Sequence, residues 1–593
     1  MTQVYDCRHI RAIALMLIVA AGCGTDRSSR IVEVEIWQIQ GSDQSSPLIG
    51  QIVTTRGVVT VISRGGTRAW IQTPREHSDD DPATSDGVLI DGFHFIADEA
   101  PAVGDLIVVR GTVEEQRFRN ELPRTRLVSA ELVDRVSSGN QIAPTVLVDL
   151  PDESIEEAIA FWEPLEGMLV RVDNAIVVSP TSGFGEFAMV TRANAVRGSG
   201  FDPSVNQLLL RSTTPGMVDY NPERILADDD GSVRTPQVRP GDAIASAIGV
   251  VDYTFGSYKL QLRELDYTAA ATPDYPVSTR GNDATFDAVI TTFNVENLFD
   301  LLDDPAKDDS SSTPTPDQPE TKLSKLAHAI EHELRLPDVV VLQEVENAAI
   351  AQALGDRVNA STGTRYVATS YQTSDGRGIE VAFLWDAERV ELEEAYLLSG
   401  PDVESAFGYA SQSPGREPLY GRIRFDGNVV HVVGNHFKSK GGDDPIFASS
   451  FDRYTEAQRK QQAVAVRRFV DDLLADDPDA LVVVTGDLND FQFGEPGEGA
   501  NHPLAILEGS GSTRLTNLVA MESEAERFSF TYDGNSQVLD HMLVSPALLE
   551  RTVGADFLHF NASFPAGLED DTTTPIRSSD HDPLEGRFRW QDE

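Results

Sequence analysis

The chain has 593 residues, a formal net charge of −47 and only two cysteines. This length suggests roughly four domains, and it is long enough to bury a stable core without disulfides. The acidity argues against tight, sequence-specific recognition of DNA, because a polyanionic protein repels a polyanionic ligand.

The N-terminal segment, residues 1–23, predicts export from the cytoplasm. Basic residues precede an apolar run at 12–21, which has the length of a signal h-region and is too short to span a bilayer. The run ends at Gly-Cys-Gly and resembles a bacterial lipoprotein signal, in which Cys23 would become the lipidated first residue. We therefore expect an outer-membrane or cell-surface lipoprotein held to the membrane through Cys23, with a secreted or periplasmic protein as the alternative. Cys7 lies in the removed segment, so the mature chain has no intramolecular disulfide.

Residues 31–140 predict a β-barrel domain. Short β-branched runs separated by turn residues recur at 57–62, 69–72, 87–90 and 106–113. Their number and length are those of a five-stranded, OB-like barrel. Such a barrel binds single strands through basic and aromatic residues, or serves only as a spacer or cover for its neighbour.

A local basic patch in this barrel would serve the first of these roles, and its members are Arg117, Arg119, Arg124 and Arg126, but the sequence leaves both roles open. Residues 141–271 predict a second β module, whose topology the sequence leaves open. Residues 272–285 are rich in turn residues and predict a linker. The remaining residues, 286–593, form the predicted catalytic domain.

In that domain, polar side chains repeatedly follow apolar runs typical of buried strands. The clearest case is Leu481–Asp490, where Asp487 and Asn489 are two residues apart and therefore face the same side of an extended segment. Other such runs end at Asn294, Glu344 and His436, and Asp540 and His581 follow later. A single residue of this kind is usually a cap or a turn. The ordered set indicates one shared site.

This ordered series resembles the endonuclease/exonuclease/phosphatase superfamily, which includes the pancreatic-type deoxyribonucleases and the abasic-site endonucleases. The resemblance implies a four-layer α/β sandwich, with two central sheets flanked by helices, over residues 286–593. The N-terminal half resembles the OB-like module that precedes the catalytic domain in bacterial extracellular nucleases. The expected fold class is therefore multidomain, with an OB-like barrel and a second β module followed by the sandwich.

Phosphodiester hydrolysis requires an oriented water, neutralised phosphate charge and a stabilised leaving group. Glu344 is the natural hard-oxygen ligand for Mg²⁺, or for Ca²⁺ or Mn²⁺, with Asn294 as a neutral helper. Asp487 and Asn489 would orient the water. His436 and His581 are the candidates for groups that donate protons near neutral pH. Whether Asp487 or a histidine is the base stays open.

By resemblance, His581 would pair with Asp540, and His436 with Glu380. Asp580 could approach the metal or orient the water. Arg416 matches a family position that contacts substrate phosphate, a task suited to a bidentate guanidinium. Lys438 belongs to the same local cluster of positive charge.

We therefore expect a secreted or surface-anchored, divalent-metal-dependent nuclease that hydrolyses extracellular DNA with low sequence specificity, with RNA left open as a substrate. One alternative is a phosphoesterase of the same superfamily that acts on a lipid headgroup or a small phosphorylated molecule. Another is a non-catalytic surface adhesin on the same fold. No protein partner is indicated.

Overall fold

The computed structural model describes most of the chain, namely residues 32–92, 100–118, 120–197, 220–269, 285–304, 307, 314–315, 317–443, 445–448 and 452–590. The predicted export signal with Cys23, the basic-patch residue Arg119 and all but one residue of the predicted linker lie outside the described residues. Among the helices in the described ranges, none has the length and apolarity that a membrane span requires.

The N-terminal strands form a closed barrel. Its elements are β1 (Val32–Glu33), α1 (Ile36–Gln40), β2 (Ile52–Ile62), β3 (Arg68–Gln72), β4 (Gly87–Asp91), β5 (Leu106–Gln116) and β6 (Arg124–Ser137). The sheet order is β1-β2-β3-β4-β6-β5, and β5 also pairs with β2, so strands β2 to β6 close on themselves. Burial alternates along β5, as expected where one face of a strand lines the core. The predicted five-stranded barrel is confirmed, while its OB-like character stays a prediction.

A second closed barrel follows with the same connectivity. Its elements are β7 (Thr145–Leu147), α2 (Ile155–Trp162), β8 (Leu169–Val177), β9 (Phe187–Val190), α3 (Arg192–Arg197), β10 (Ile225–Asp228), β11 (Ala243–Thr254) and β12 (Ser257–Thr268). The order is β7-β8-β9-β10-β12-β11, and β11 closes onto β8. In the first barrel β4 runs parallel to β6, and in the second barrel β10 runs parallel to β12. The topology that the sequence left open is therefore that of the first barrel repeated.

The C-terminal half contains two mixed sheets and a small hairpin. The strands are β13 (Ala288–Leu298), β14 (Val339–Val345), β15 (Tyr366–Ser370), β16 (Glu380–Asp386), β17 (Val390–Leu397), β18 (Leu419–Phe425), β19 (Asn428–His436), β20 (Leu481–Asp487), β21 (Thr516–Asn517), β22 (Phe530–Tyr532), β23 (Asn535–Gln537), β24 (Asp540–Val544), β25 (Thr552–Phe557) and β26 (Leu584–Phe588). One sheet has the order β15-β16-β14-β13-β26-β25, and the other β17-β18-β19-β20-β24-β21. Strands β22 and β23 form the separate hairpin.

Helices cover the outer faces of both sheets. They are α4 (Gln318–His328), α5 (Ala348–Thr362), α6 (Pro401–Ala406), α7 (Glu456–Asp476) and α8 (Pro503–Glu508), while the short helix α9 (Pro546–Leu549) packs against the apolar cluster between the sheets. One apolar cluster lies between the sheets, a second joins α4 and α5 to the first sheet, and a third joins α6, α7 and α8 to the second sheet. The buried face of α7 repeats at helical spacing, at Ala463, Val466, Val470 and Leu474. This is the expected four-layer α/β sandwich.

The second barrel is fastened directly to the sandwich. Phe447, which belongs to the sandwich segment between β19 and α7, is buried within the core of the barrel. The hydroxyl of Tyr253 donates to the carbonyl of Phe447 at 2.6 Å. Asn221 Nδ2 donates to Asn535 Oδ1 on the β22–β23 hairpin at 2.6 Å. The second barrel and the sandwich therefore share a packed interface beside the ends of the central strands.

Candidate active site

Three neighbouring strands bring three of the predicted residues to the same level of one sheet. β19 pairs with β20 so that His436 lies opposite Asp487, and β20 pairs with β24 so that Asp487 lies opposite Asp540. His436 Nε2 lies 3.5 Å from Asp487 Oδ2. A central strand that is buried over its whole length thus ends in a row of titratable side chains.

Gly486 allows this row to form. Its φ is +138°, and a Cβ there would lie 2.0 Å from the carbonyl oxygen of Asn435 on β19. No side chain fits in that space, because real Cβ contacts are longer. Glycine before Asp487 therefore lets β20 approach β19 closely at the point where both strands deliver their polar residues.

Hydrogen bonds hold the carboxylate of Asp487 in one orientation. Its Oδ1 accepts from the backbone N–H of Asn489 at 2.9 Å. Its Oδ2 accepts from Asn489 Nδ2 at 2.9 Å and from Asn294 Nδ2 at 3.2 Å. Burial raises the pKa of Asp487 to about 6, against the opposing effect of His581. Asn489 therefore orients the carboxylate of Asp487, and because it also lines the cavity, its expected contact with the attacking water stays a prediction.

Asn294 joins the two sheets at the site. It lies at the end of β13, and its Nδ2 also lies 3.5 Å from Glu344 Oε1. Its Oδ1 accepts from the backbone N–H of Glu296 at 3.0 Å. Because its amide nitrogen faces the carboxylates, Asn294 positions Asp487 and Glu344, and its role as an oxygen ligand for a metal stays a prediction.

Glu344 sits in a β-bulge of β14. The register with β16 shifts between Gln343 and Val345, and Glu344 has a φ of +63°. A bulge re-aims a side chain that regular alternation would send elsewhere. Glu344 Oε2 accepts from the backbone N–H of Asn297 at 3.1 Å, and Oε1 lies 3.8 Å from His436 Nε2. The carboxylate is thereby held over the ends of both sheets.

His581 forms the predicted pair with Asp540. Its Nδ1 lies 2.7 Å from Asp540 Oδ2, and both side chains are buried. Burial alone would lower the pKa of His581, but the charge and hydrogen bond of Asp540, with the nearby carboxylates, raise it well above its usual range. The ring also packs against Phe530, with 4.7 Å between ring centroids. His581 is therefore an imidazolium at neutral pH.

His436 is in the opposite charge state. Burial lowers its pKa well below the usual range, and the positive charges of Arg416 and Arg377 lower it further. Within the described residues its Nδ1 has no hydrogen-bond partner. His436 is therefore a neutral imidazole, in contrast to the expectation that a carboxylate raises its pKa.

The prediction that Glu380 is the carboxylate partner of His436 is wrong. Glu380 begins β16, and its carboxylate accepts a hydrogen bond from Ser370 on β15. It lines a separate cavity of about 240 Å³, together with Lys307 and Glu346. Burial raises its pKa to about 7. The strand start was recognised correctly, but its alternation turns Glu380 away from the row at the end of β19.

Arg416 does not have the expected free guanidinium. Its Nε donates to the carbonyl of His436 at 3.3 Å, its Nη2 to the carbonyl of Phe437 at 2.6 Å, and its Nη1 to Asp375 at 2.9 Å. These contacts replace the bidentate phosphate contact that the resemblance implied. Arg416 is a buried clamp on the end of β19, and Asp375 holds it there.

An exposed cation beside the carboxylates is Arg377, to which the sequence pattern assigned no role. Its Nη2 lies 3.8 Å from Glu344 Oε1, and its side chain is 48% exposed. Lys438 also lines the site and is half-buried, and burial lowers its pKa before the nearby arginines lower it further. Arg377 was detectable only through its place beside Glu380 in a Gly-rich segment, a weak signal by itself.

The acidic residues that remain fit a divalent cation. Asp580 is partly buried, and its pKa is raised to about 7, first by desolvation and then by the charges of Glu296 and Glu344. Partly buried carboxylates that repel each other and offer oxygen atoms to a cavity are suited to a hard cation. Two other acidic groups in the described chain, around Glu456 and around Asp228, are instead neutralised by lysine and arginine side chains.

One cavity of about 1140 Å³ joins the site together. Of the predicted residues, its walls include Glu344, Arg416, His436, Lys438, Asp487, Asn489, Asp580 and His581. Asn294 and Asp540 lie directly behind them, through their contacts with Asp487 and His581. The residues that the sequence placed in one site, apart from Glu380, therefore converge on one accessible volume.

Two sequence models of known protein families match parts of this chain. Residues 289–564 match the sequence model of the endonuclease/exonuclease/phosphatase family, and residues 136–271 match that of a domain of unknown function (DUF8508). No curated protein sequence matches the chain significantly.

Three similar solved structures illustrate the range of neighbours. Humanized D. rerio TDP2 is 15% identical, with 51% of this chain and 99% of that chain covered and a TM-score of 0.34. The Bacteroides vulgatus endonuclease/exonuclease/phosphatase is 15% identical, with coverages of 52% and 100% and a TM-score of 0.34. D. rerio TDP2 complexed with a single-strand DNA product is 17% identical, with coverages of 51% and 99% and a TM-score of 0.35. These structural similarities are weak, and the match to the family model is a separate finding that does not depend on them.

Proposed function

We propose that residues 289–564, which match the sequence model of the endonuclease/exonuclease/phosphatase family, form a divalent-metal-dependent nuclease that hydrolyses phosphodiester bonds. The observation that carries the proposal is the row of His436, Asp487 and Asp540, which faces Glu344 across one cavity. Together with His581, which Asp540 holds, this row and Glu344 supply a proton acceptor, a positively charged hydrogen-bond donor and a carboxylate for a cation at a single scissile ester.

The two histidines have different tasks in this proposal. His581, held as an imidazolium by Asp540, donates a hydrogen bond to a phosphate oxygen and stabilises the negative charge that develops there. His436 is neutral, so it accepts or passes on a proton. Groups whose pKa values are driven apart by their surroundings divide acid and base roles in this way.

Asp487 orients the attacking water in this proposal, because three hydrogen bonds from Asn489 and Asn294 fix its carboxylate. Glu344 and Asp580 would hold the divalent cation, most simply Mg²⁺, with Ca²⁺ or Mn²⁺ as alternatives. When bound, this ion neutralises phosphate charge and supports the leaving oxygen. Arg377 and Lys438 supply the positive charge that a polyanionic substrate needs on an otherwise acidic protein.

The substrate that we propose is extracellular DNA, cut with low sequence specificity, and RNA shares the same ester chemistry. The extracellular setting rests on residues 1–23, with the apolar run before Cys23. A mature protein that begins at a lipid-modified Cys23, measured by mass spectrometry of the membrane fraction, would support surface anchoring. An unmodified mature protein recovered from the medium would support secretion instead.

The decisive experiment incubates the purified mature protein with closed-circular DNA and Mg²⁺. We expect nicking, which EDTA abolishes and which His581→Ala and Asp487→Asn slow by at least about 10²-fold. His332→Ala is the matched control, since His332 is an exposed histidine of the sandwich that does not line the cavity. Intact circles with the wild-type protein, together with release of phosphate from a small phosphorylated substrate, would replace the nuclease by a different phosphoesterase.

A further inference from the structure

Two turns carry aromatic side chains into the active-site cavity, one from the second barrel and one from the sandwich. Phe255 lies in the turn between β11 and β12, and Tyr532 ends β22. Both line the cavity that contains His436 and His581. Their side chains remain accessible, with Phe255 80% and Tyr532 57% exposed. We call this pair the aromatic wall.

The turn that carries Phe255 is built into the interface between the domains. Phe255 has a φ of +52°, an unfavourable conformation for a bulky residue. The next residue, Gly256, packs so closely on Pro445 of the sandwich that a Cβ there would lie 2.1 Å from the proline Cβ. A strained turn that is held by a close contact is a positioned feature rather than a loose loop.

The two turns also hold each other. Ser257 Oγ donates to Asp533 Oδ2 at 3.3 Å, which joins the residues beside Phe255 and Tyr532. Arg224 of the second barrel donates to the carbonyl of Asp533. The hairpin residue Gly534 packs against Ala188 of the barrel, where a Cβ would lie 2.4 Å from the alanine Cβ. The turn that carries Phe255 and the hairpin that carries Tyr532 therefore contact each other across the domain interface.

The cavity also carries cations that a phosphate can reach. Arg377, Lys438 and Lys440 line it together with the catalytic residues. On the side of the aromatic wall, Lys259 lies over the ring of Phe255, with 5.1 Å between its Nζ and the ring centroid. A ligand with anionic esters and flat apolar faces would place its phosphates beside the catalytic residues and its rings on the wall.

We propose that the aromatic wall stacks the unpaired bases of single-stranded nucleic acid, so that the second barrel makes the site selective for single strands over duplex. The inference rests on the proposed function, because it assigns the form of the nucleic acid that the site accepts. Aromatic stacking is available to every base, so it adds affinity without adding sequence preference.

Duplex DNA is disfavoured for two physical reasons. The bases of a duplex are already stacked on their neighbours, and exposing one of them costs a few kcal/mol. The cavity, at about 1140 Å³, is close to the upper size of small-molecule sites, roughly 1,000 Å³. A cavity of this size has room for a few unpaired nucleotides beside the catalytic residues, but is small for a stretch of double helix.

The test measures binding and hydrolysis separately in the full-length mature protein. Binding is followed by fluorescence anisotropy with a fluorescein-labelled oligothymidylate, alone or paired with oligoadenylate, in a His581→Ala background that prevents cleavage. We expect the single strand to bind at least about tenfold more tightly than the duplex. Phe255→Ala and Tyr532→Ala should each weaken single-strand binding by about tenfold and leave duplex binding unchanged.

Two further variants keep the test independent of folding. Phe255→Trp should restore single-strand binding, because it returns a stacking surface. Phe184→Ala is the matched control, since Phe184 is an exposed phenylalanine of the same barrel that does not line the cavity. Equal affinity for both forms, or unchanged single-strand binding in Phe255→Ala and Tyr532→Ala, would overturn the inference.

Hydrolysis of a diester without aromatic rings, a radiolabelled strand of abasic tetrahydrofuran nucleotides, distinguishes the two proposals, because this diester has nothing to stack on the wall. We expect the rate on it to be the same in wild type, Phe255→Ala and Tyr532→Ala in the otherwise unaltered protein. No hydrolysis of this diester or of DNA by the wild type would defeat the proposed function, while the binding measurements would still decide whether the wall selects single strands.

Discussion

At the scale of single residues, the two histidines of the site differ in pKa because different side chains surround them. His581 has Asp540 at 2.7 Å, and its pKa is raised. His436 has an unpartnered Nδ1 within the described chain and arginines nearby, and its pKa is lowered. The difference comes from the neighbours of each ring rather than from its burial, because both rings are buried. Asp540 is therefore the residue that sets the charge of the site.

We predict that Asp540→Asn slows nicking by about 10²-fold or more, because an amide of the same shape cannot hold His581 as an imidazolium. The double variant Asp540→Asn/His581→Ala should be no slower than His581→Ala, since residues that act as a unit are not additive. Initial rates of plasmid nicking for all four proteins measure this. A double variant whose rate loss equals the product of the single losses would refute the coupling.

A second residue-scale prediction concerns Glu380, which lies outside the site. Its pKa of about 7 exceeds its unfolded value, so its stabilising contribution is present below about pH 4.5 and is lost as the pH rises through about 7. The shift corresponds to about 3 kcal/mol. Glu380→Gln should therefore reduce the loss of stability between about pH 5 and about pH 8, measured by thermal unfolding.

The same variant tests whether Glu380 acts as the carboxylate partner of His436. Because Glu380 does not contact His436, Glu380→Gln should nick DNA at close to the wild-type rate. A loss of activity comparable to that of His581→Ala, with an unchanged pH dependence of stability, would restore Glu380 to the role that the resemblance gave it.

At the scale of elements, the site depends on how strands end. β19 and β20 terminate in register because glycine lies where their backbones meet, and β14 turns Glu344 inward through a bulge. Arg416 then clamps the backbone immediately after β19. Each of these devices is local, but each acts on a contact between strands that are far apart in the chain.

We predict that Gly486→Ala is strongly destabilising. The added Cβ would meet the carbonyl oxygen of Asn435 at 2.0 Å, so β20 must shift away from β19. Gly497→Ala is the matched control, because Gly497 also has a positive φ, +98°, but has open space around its Cβ position. The control should lose about 1–2 kcal/mol from backbone strain alone, and Gly486→Ala should lose more, as measured by thermal unfolding. Equal losses would mean that the close approach of the strands is unimportant.

At the scale of the whole molecule, two barrels of the same connectivity precede the sandwich, and the second forms part of the catalytic cavity. The first barrel packs on the second through a shared apolar cluster that includes Trp70 and Leu169. Arg124 of the first barrel also forms a buried ion pair with Asp252 of the second, at 3.0 Å. This contact removes Arg124 from the basic patch that the sequence suggested for binding single strands.

We predict that Phe447→Ala loosens the second barrel from the sandwich. Removing a buried phenylalanine lowers the free energy of unfolding by about 3–5 kcal/mol. Because Phe447 lies in the core of the other domain, we expect the loss to weaken the contact between the barrel and the sandwich. Limited proteolysis should cut between barrel and sandwich faster in this variant than in Phe184→Ala, the exposed control. Unchanged proteolysis would show that the interface does not depend on this anchor.

The sequence predicted much of the site because buried strands have a readable signature. An apolar β-branched run that ends in polar residues marks a strand end, and Glu344, His436 and Asp487 were found in this way, whereas Asp540 begins β24 and His581 precedes β26. The four-layer fold followed from the resemblance carried by the same residues. Glu380 was misassigned because the face to which a side chain points depends on register, and register with β14 shifts by a bulge that no local pattern announces.

By itself, the amino-acid sequence determined which residues end the buried strands, and hence the chemistry available to the protein, because strand burial and polar strand ends are written in the order of side chains. The tertiary structure alone decided the charge of each histidine, the clamp role of Arg416 and the entry of Phe255 into the cavity. Those properties depend on neighbours contributed by distant segments, such as Asp540 beside His581 and Pro445 beneath Gly256. Distances between such segments are set only when the sheets and barrels pack.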